Sequence, residues 1–241
     1  MESGKAQLTQ RRNFNKPALA LAKLAQKNTS QEGLTLIECL VAIGVIAVVS
    51  VAFTPPIFLA VATQVQNRRA EQALQLAQGE VDRLRRTVEQ GNYDDSQLPP
   101  RATDSFDLNE FKRQSAPNSA QRLQSNETYP SNFQTGRLID VNGDGRDDFI
   151  VQTYRNRGVQ RDGRTVAFNV GVRVYTAPQD FGRLENPPQR AASLHMTSGE
   201  GQQGRRPLAL IYTSVIQSDN RNSLCSFRQF QGEGTNNAAC Q

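Results

Sequence analysis

The sequence predicts an α+β chain: a long N-terminal transmembrane and amphipathic α-helix packed on a small antiparallel β-sheet. Three observations carry that expectation. An apolar run fills residues 34–62. Apolar residues then recur at helical spacing from Ala70 to Val88. Past Arg137, four segments are enriched in Val, Ile, Phe and Tyr, the residues of strands.

Residues 1–33 come first in the chain and carry most of its net charge. They hold six basic residues (Lys5, Arg11, Arg12, Lys16, Lys23, Lys27) and two acidic ones (Glu2, Glu32). The chain as a whole has a formal charge of +5, so the remainder is close to neutral. A nucleic-acid partner is therefore not expected, because the basic character is confined to one end. Hydrophobic residues make up only 37% of the chain, and many of them sit in the apolar run. The residues beyond that run can build only a modest core.

The run from Leu34 to Ala62 is 29 residues long with one formal charge, Glu38. About 20 apolar residues suffice to cross the hydrocarbon core. Lys and Arg ahead of a span favour the cytoplasmic side, which predicts a single pass with the N-terminus inside and residues 63–241 exported. A cleaved secretory signal is disfavoured, since its apolar region is only about 7–15 residues long. Glu38 is the anomaly, because a carboxylate inside a membrane helix costs about 2.5–3.5 kcal/mol. It is either protonated or paired with a cation. Gly44 supplies a small residue for close helix approach. Pro55 and Pro56 remove backbone donors and predict a kink or local unwinding.

Residues 63–90 continue as an amphipathic helix. Ala70, Ala73, Leu74, Ala77, Val81, Leu84 and Val88 recur in steps of mostly three and four, and charged residues take most of the other positions. An ordinary juxtamembrane helix would show the same period. Gly91 is a fitting stop, and residues 91–241 form the exported, β-rich part. Residues 92–133 read as a long polar loop with one short helix near Asp107–Arg113. Strands are predicted at Leu138–Val141, Asp148–Tyr154, Val166–Tyr175 and Leu208–Ile216, with a second polar loop over residues 178–206.

Residues 140–148 read Asp-Val-Asn-Gly-Asp-Gly-Arg-Asp-Asp, the first nine positions of a calcium loop. The candidate Ca²⁺ ligands are Asp140, Asn142, Asp144 and Asp148 with the carbonyl of Arg146, and Asp147 is expected to face solvent. Val151 stands where an EF-hand carries its glutamate. The same residues also suit a plain hairpin turn. Cys225 and Cys240 either close a short terminal loop by a disulfide in an oxidising compartment or remain thiols. His195, the single histidine, has no evident catalytic partner. No phosphate-binding glycine loop, zinc cluster or nucleophile elbow is present, so the chain is not expected to be an enzyme.

The segment Gln31-Glu32-Gly33-Leu34-Thr35-Leu36-Ile37-Glu38 resembles the processing signature of type IV pilin-like proteins, the prepilins and pseudopilins of type IV pilus and type II secretion systems. The resemblance covers residues 33–90 and implies several things. A prepilin peptidase would cut after Gly33 and methylate the new amino group of Leu34, so that 1–33 is a leader removed on maturation. The Leu34 amine, one helical turn from Glu38, would be its cation, within the chain or in a neighbouring subunit. Pro55 lies where many pilins carry a helix-bending proline, although the doubled proline departs from the pattern. Partners would be other pilins and an inner-membrane assembly platform. Cys225 and Cys240 resemble the C-terminal disulfide loop of many pilins. The long basic leader with an Asp-rich turn is also similar to cyanobacterial pseudopilins of the hormogonium polysaccharide secretion type. The large, loop-rich exported part suits a minor subunit. The competing expectation is an uncleaved, singly anchored protein displaying a calcium-dependent adhesion or glycan-binding domain.

Overall fold

The computed structural model describes residues 35–125, 127–177, 180–193, 201–218 and 223–231. The chain divides into two compact units between Thr54 and Pro55. Helix α1 (Leu36–Gln90) contributes to both, and it runs through Pro55 and Pro56 without a break. The expected unwinding at the double proline is not seen.

In the first unit the apolar side chains of α1 are exposed, from Leu36 to Phe53. It is long and apolar enough to cross a membrane. The hydroxyls on this stretch are satisfied internally. Ser50 Oγ donates to the Ile46 carbonyl (2.7 Å) and Thr54 Oγ1 to the Ser50 carbonyl (2.6 Å). Polar groups in hydrocarbon need such partners.

The second unit is a seven-stranded mixed sheet backed by the C-terminal half of α1. The strands are β1 (Arg101–Thr103), β2 (Ser119–Gln121), β3 (Thr135–Ile139), β4 (Phe149–Asn156), β5 (Val159–Arg161), β6 (Arg164–Thr176) and β7 (Ala209–Ile216). β6 is the spine. It pairs with β4 and β5 along one edge and with β7 along the other, all antiparallel. β3 pairs antiparallel with β4, while β2 joins β3 and β1 joins β4 in parallel. The four predicted strands correspond to β3, β4, β6 and β7, with β3 lying three residues earlier than expected at its start. The purely antiparallel expectation is corrected to a mixed sheet. Three-residue strands carry no periodicity, and their pairing is set by contacts distant in sequence.

One face of the sheet meets α1. Phe168, Val170, Val172 and Val174 of β6 alternate onto Ala73, Ala77, Val81, Leu84 and Val88 in one core cluster, as the period-2 and helical patterns require. Leu74, predicted on the apolar stripe, is 45% exposed. The helix ends where Gly91 adopts φ +69° and its N–H bonds the Val88 carbonyl (3.2 Å), the left-handed stop that glycine permits.

Part of residues 92–133, which the sequence suggested were a long polar loop with one short helix near Asp107–Arg113, covers the other face, while Tyr93 and Leu98 join the helix-side core. The segment contains β1, β2 and α2 (Leu108–Lys112), whose N-cap Asp107 accepts the Asn109 N–H (2.9 Å). Arg173 is fully buried here. Its Nη1 donates to the carbonyls of Gln114 (2.8 Å) and Ser115 (3.2 Å), its Nη2 to Lys112 O (2.9 Å), and its Nε to the Tyr212 hydroxyl (3.1 Å). The guanidinium lies 4.9 Å from the centre of the Tyr154 ring, and that ring packs over Gly171, where a Cβ would stand 2.7 Å from Tyr154 Cζ. Gln152 extends the network by donating to Ser115 O and Phe133 O. Buried polar groups demand such pairing. On the helix side, buried Glu80 accepts from Arg83 (2.6 Å) and Arg137 (2.7 Å), which ties α1 to β3.

Candidate functional site

Two places concentrate the residues singled out in the sequence. The first is the start of α1. Thr35 caps it, its Oγ1 accepting the Glu38 N–H (3.3 Å). Glu38 sits in the first turn, where a negative charge suits the helix dipole. Among the described residues no cation lies within ion-pair distance of it. Gly33 and Leu34 lie outside the described residues. Gly44 has nothing within 4 Å of its Cβ position, so this point of the exposed helix surface is open to close approach. Cys39, a free and exposed thiol, is on the same stretch.

The second place is the turn between β3 and β4. Asp140 Oδ1 accepts the Gly143 N–H (2.7 Å) and its Oδ2 the Gly145 N–H (2.8 Å). Asn142 Oδ1 accepts from the Asp144 amide and Asp144 Oδ1 from the Arg146 amide. Asp148 Oδ2 accepts the Val141 N–H (3.0 Å). Gly143 and Gly145 hold φ of +74° and +85°, conformations that favour glycine. The predicted ligands are therefore gathered in one turn. Their oxygens meet backbone amides, and among the described residues no three acidic, His or Cys side chains converge to hold a metal ion. The turn borders a hollow of about 210 Å³ that Arg69 and Gln72 of α1 help to line.

Sequence reasoning missed Arg122 at this turn. Its Nε donates to Asp147 Oδ1 (2.9 Å) and its Nη2 to the Gly145 carbonyl (3.0 Å). Asp147 therefore engages a partner rather than facing solvent alone. Nothing local in the sequence could reveal this, since β2 and β3 must form before Arg122 reaches the turn.

Desolvation pushes the Asp140 carboxyl up, but the amides of Gly145, Gly143 and Asp144 and the nearby Arg122 outweigh it and hold the group below its ordinary value. A carboxyl with a lowered folded-state pKa stabilises above its unfolded value and loses that contribution as pH falls through the folded value. On acidification, the Gly143 and Gly145 amide resonances should shift with a midpoint below that of an ordinary aspartate. A midpoint at or above it in an NMR titration would contradict the hydrogen-bonded turn.

Cys225 is buried in α3 (Ser223–Phe230), while Cys240 and His195 lie outside the described residues.

Residues 28–54 match the family described as the prokaryotic N-terminal methylation motif. No curated protein and no solved structure matches the chain. The matched motif is the type IV pilin signature, that of a structural rather than an enzymatic family. Together with the long apolar helix it is consistent with a type IV pilin-like, membrane-anchored protein of one span.

Proposed function

We propose that the chain is a minor pilin or pseudopilin. A prepilin peptidase cuts it between Gly33 and Leu34 and methylates Leu34. The exported part lies outside the inner membrane, and the subunit joins other pilin-like subunits through an inner-membrane platform into a filament for secretion or motility. The observation that carries this reading is Glu38. It lies in the first turn of an apolar helix, inside the matched motif, with no cation supplied by the described residues. A charge in lipid needs a partner, and cleavage at Gly33 creates an amine about one turn away. Mass spectrometry of protein from its native membrane should find N-methyl-leucine at Leu34. An intact Met1 would reject the reading and favour the uncleaved anchored adhesin. The same spectrum should show Cys225 and Cys240 joined, by the loss of two hydrogens.

Calcium at the β3–β4 turn belongs to the same proposal. Asp140, Asn142, Asp144, Asp148 and the Arg146 carbonyl are hard oxygen donors of the kind Ca²⁺ selects. Binding would have to break the Asn142–Asp144 side-chain bond of 3.1 Å, which argues for weak affinity, on the order of the millimolar range of extracellular modules. The expected result is a rise in thermal stability with Ca²⁺ that Mg²⁺ does not reproduce and that Asp140→Asn removes. No shift at several millimolar Ca²⁺ would end the metal reading.

A further inference from the structure

We propose that the outer edge of β7 is a strand-addition site for an extended, acidic segment of another protein. β7 is an eight-residue strand, Ala-Leu-Ile-Tyr-Thr-Ser-Val-Ile, with no charge and no proline. It pairs with β6 over its full length, from Ala209 opposite Val174 to Ile216 opposite Ala167, and with no other strand. The Gln217 N–H donates to the Val166 carbonyl. By the alternation of an antiparallel ladder, residues 209, 211, 213 and 215 then point their backbone groups at β6, and Leu210, Tyr212 and Ser214 point theirs outward. Among the described residues nothing bonds those outward N–H and C=O groups. Sheets ordinarily blunt such an edge with a charge, a proline, a bulge or a covering segment. β7 carries none of the first three, and no described segment covers its outer edge. A long, uncharged edge is the feature that strand addition uses, with main-chain bonds giving affinity and flanking side chains giving selectivity.

The flanks select the occupant. On the helix side, exposed Arg85 reaches Thr213 Oγ1 at 3.4 Å and is held only loosely by Asp82 at 3.7 Å. On the opposite face, Lys112 Nζ lies 5.9 Å from the centre of the Tyr212 ring. The nearby α2 acid, Glu110, is engaged by the Thr103 hydroxyl. Each face of the edge thus offers a cation beside neighbouring residues of one strand. A second copy is disfavoured. Full-length antiparallel pairing of β7 with itself about a two-fold axis would set Arg85 against Arg85 and Lys112 against Lys112, and like charges across an interface are costly. An incoming strand with adjacent acidic residues places one carboxylate on each face, because successive side chains alternate.

The test uses full-length protein in detergent micelles and a fluorescent, capped heptapeptide, Val-Thr-Glu-Asp-Val-Thr-Val, followed by anisotropy. The peptide should bind, bind more weakly in high salt, and lose about tenfold or more in affinity to Ser214→Pro. That substitution removes an outward N–H and leaves the backbone ladder to β6 in place, at the cost of the Ser214 hydroxyl bond to Asn169 Oδ1 (2.9 Å). Arg85→Glu should weaken binding by a similar factor and favour a peptide in which only the acid facing position 85 is replaced, Val-Thr-Lys-Asp-Val-Thr-Val or Val-Thr-Glu-Lys-Val-Thr-Val, because Lys112 still selects an acid on the other face. Should Ser214→Pro fail to fold, Arg85→Glu decides. Absence of binding to the native protein, or undiminished binding to either folded variant, overturns the proposal. A doubled molecular mass abolished by Ser214→Pro would assign the edge to a second copy and also overturn the acidic occupant.

Discussion

Replacing Arg173 with methionine should destabilise the sheet domain by more than about 3 kcal/mol, although the side chain is of similar length. The substitution strips the Gln114 carbonyl and the Tyr212 hydroxyl oxygen of their donor and leaves the carbonyls of Ser115 and Lys112 with only Gln152 and the Tyr212 hydroxyl, respectively. Each buried group left unpaired costs about 1–3 kcal/mol. The charge itself is tolerated because these oxygens surround it and the Tyr154 ring lies beneath it. Thermal unfolding in micelles, followed by near-UV circular dichroism of the tyrosines, should show a midpoint lowered by at least about 6 °C. A shift within about 1 °C would mean that the covering segment holds without the arginine.

In the proposed filament role, replacing Glu38 with alanine should lower incorporation into the assembled filament by about tenfold or more, while the sheet domain unfolds at the same temperature as before. The carboxylate lies in the first turn of α1, in the first of the two compact units, whereas the sheet belongs to the second. Its loss touches no packing in the domain. Under the proposed maturation, what it removes is the partner of the Leu34 amine, and an unmatched charge within lipid costs about 2.5–3.5 kcal/mol on insertion scales. Glutamine keeps the shape without the charge and should fail in the same way. Wild-type yields of sheared filament from either variant would refute the register role.

The sequence made some of this architecture legible and concealed the rest, for identifiable reasons. The face of α1 that carries Ala73, Ala77, Val81, Leu84 and Val88 was readable because burial of one helix face imposes a period. The long β6 was readable because Val166, Phe168, Val170, Val172 and Val174 alternate. That same alternation misled on the opposite face. Arg173, Gln152 and Asn169 occupy positions that a two-layer protein gives to water, yet all are buried. The segment that covers them is polar and irregular. It is held by its backbone carbonyls together with isolated apolar side chains such as Phe111, which is fully buried against Tyr154 and Tyr212, and these are too sparse to leave a periodic trace. Glu80 was hidden likewise, as one more charge on a charged helix, until Arg137 arrives from β3. The turn at residues 140–148 was readable as a turn because Asn-Gly and Asp-Gly dictate positive φ. Its tie to Arg122 was not, because that contact depends on the parallel pairing of β2 with β3.

The position of β6 also governs how the sheet domain can come apart. Its residues are bonded to neighbours on both edges, and each of its faces is roofed by a different stretch of chain, one preceding it by about ninety residues and the other by about sixty. No subdivision of the domain leaves this strand half served. Loss of either roof strips the central strand, so the two sides melt together rather than in sequence. Such all-or-none cooperativity leaves the domain either whole or visibly failed, with no half-open form lingering between.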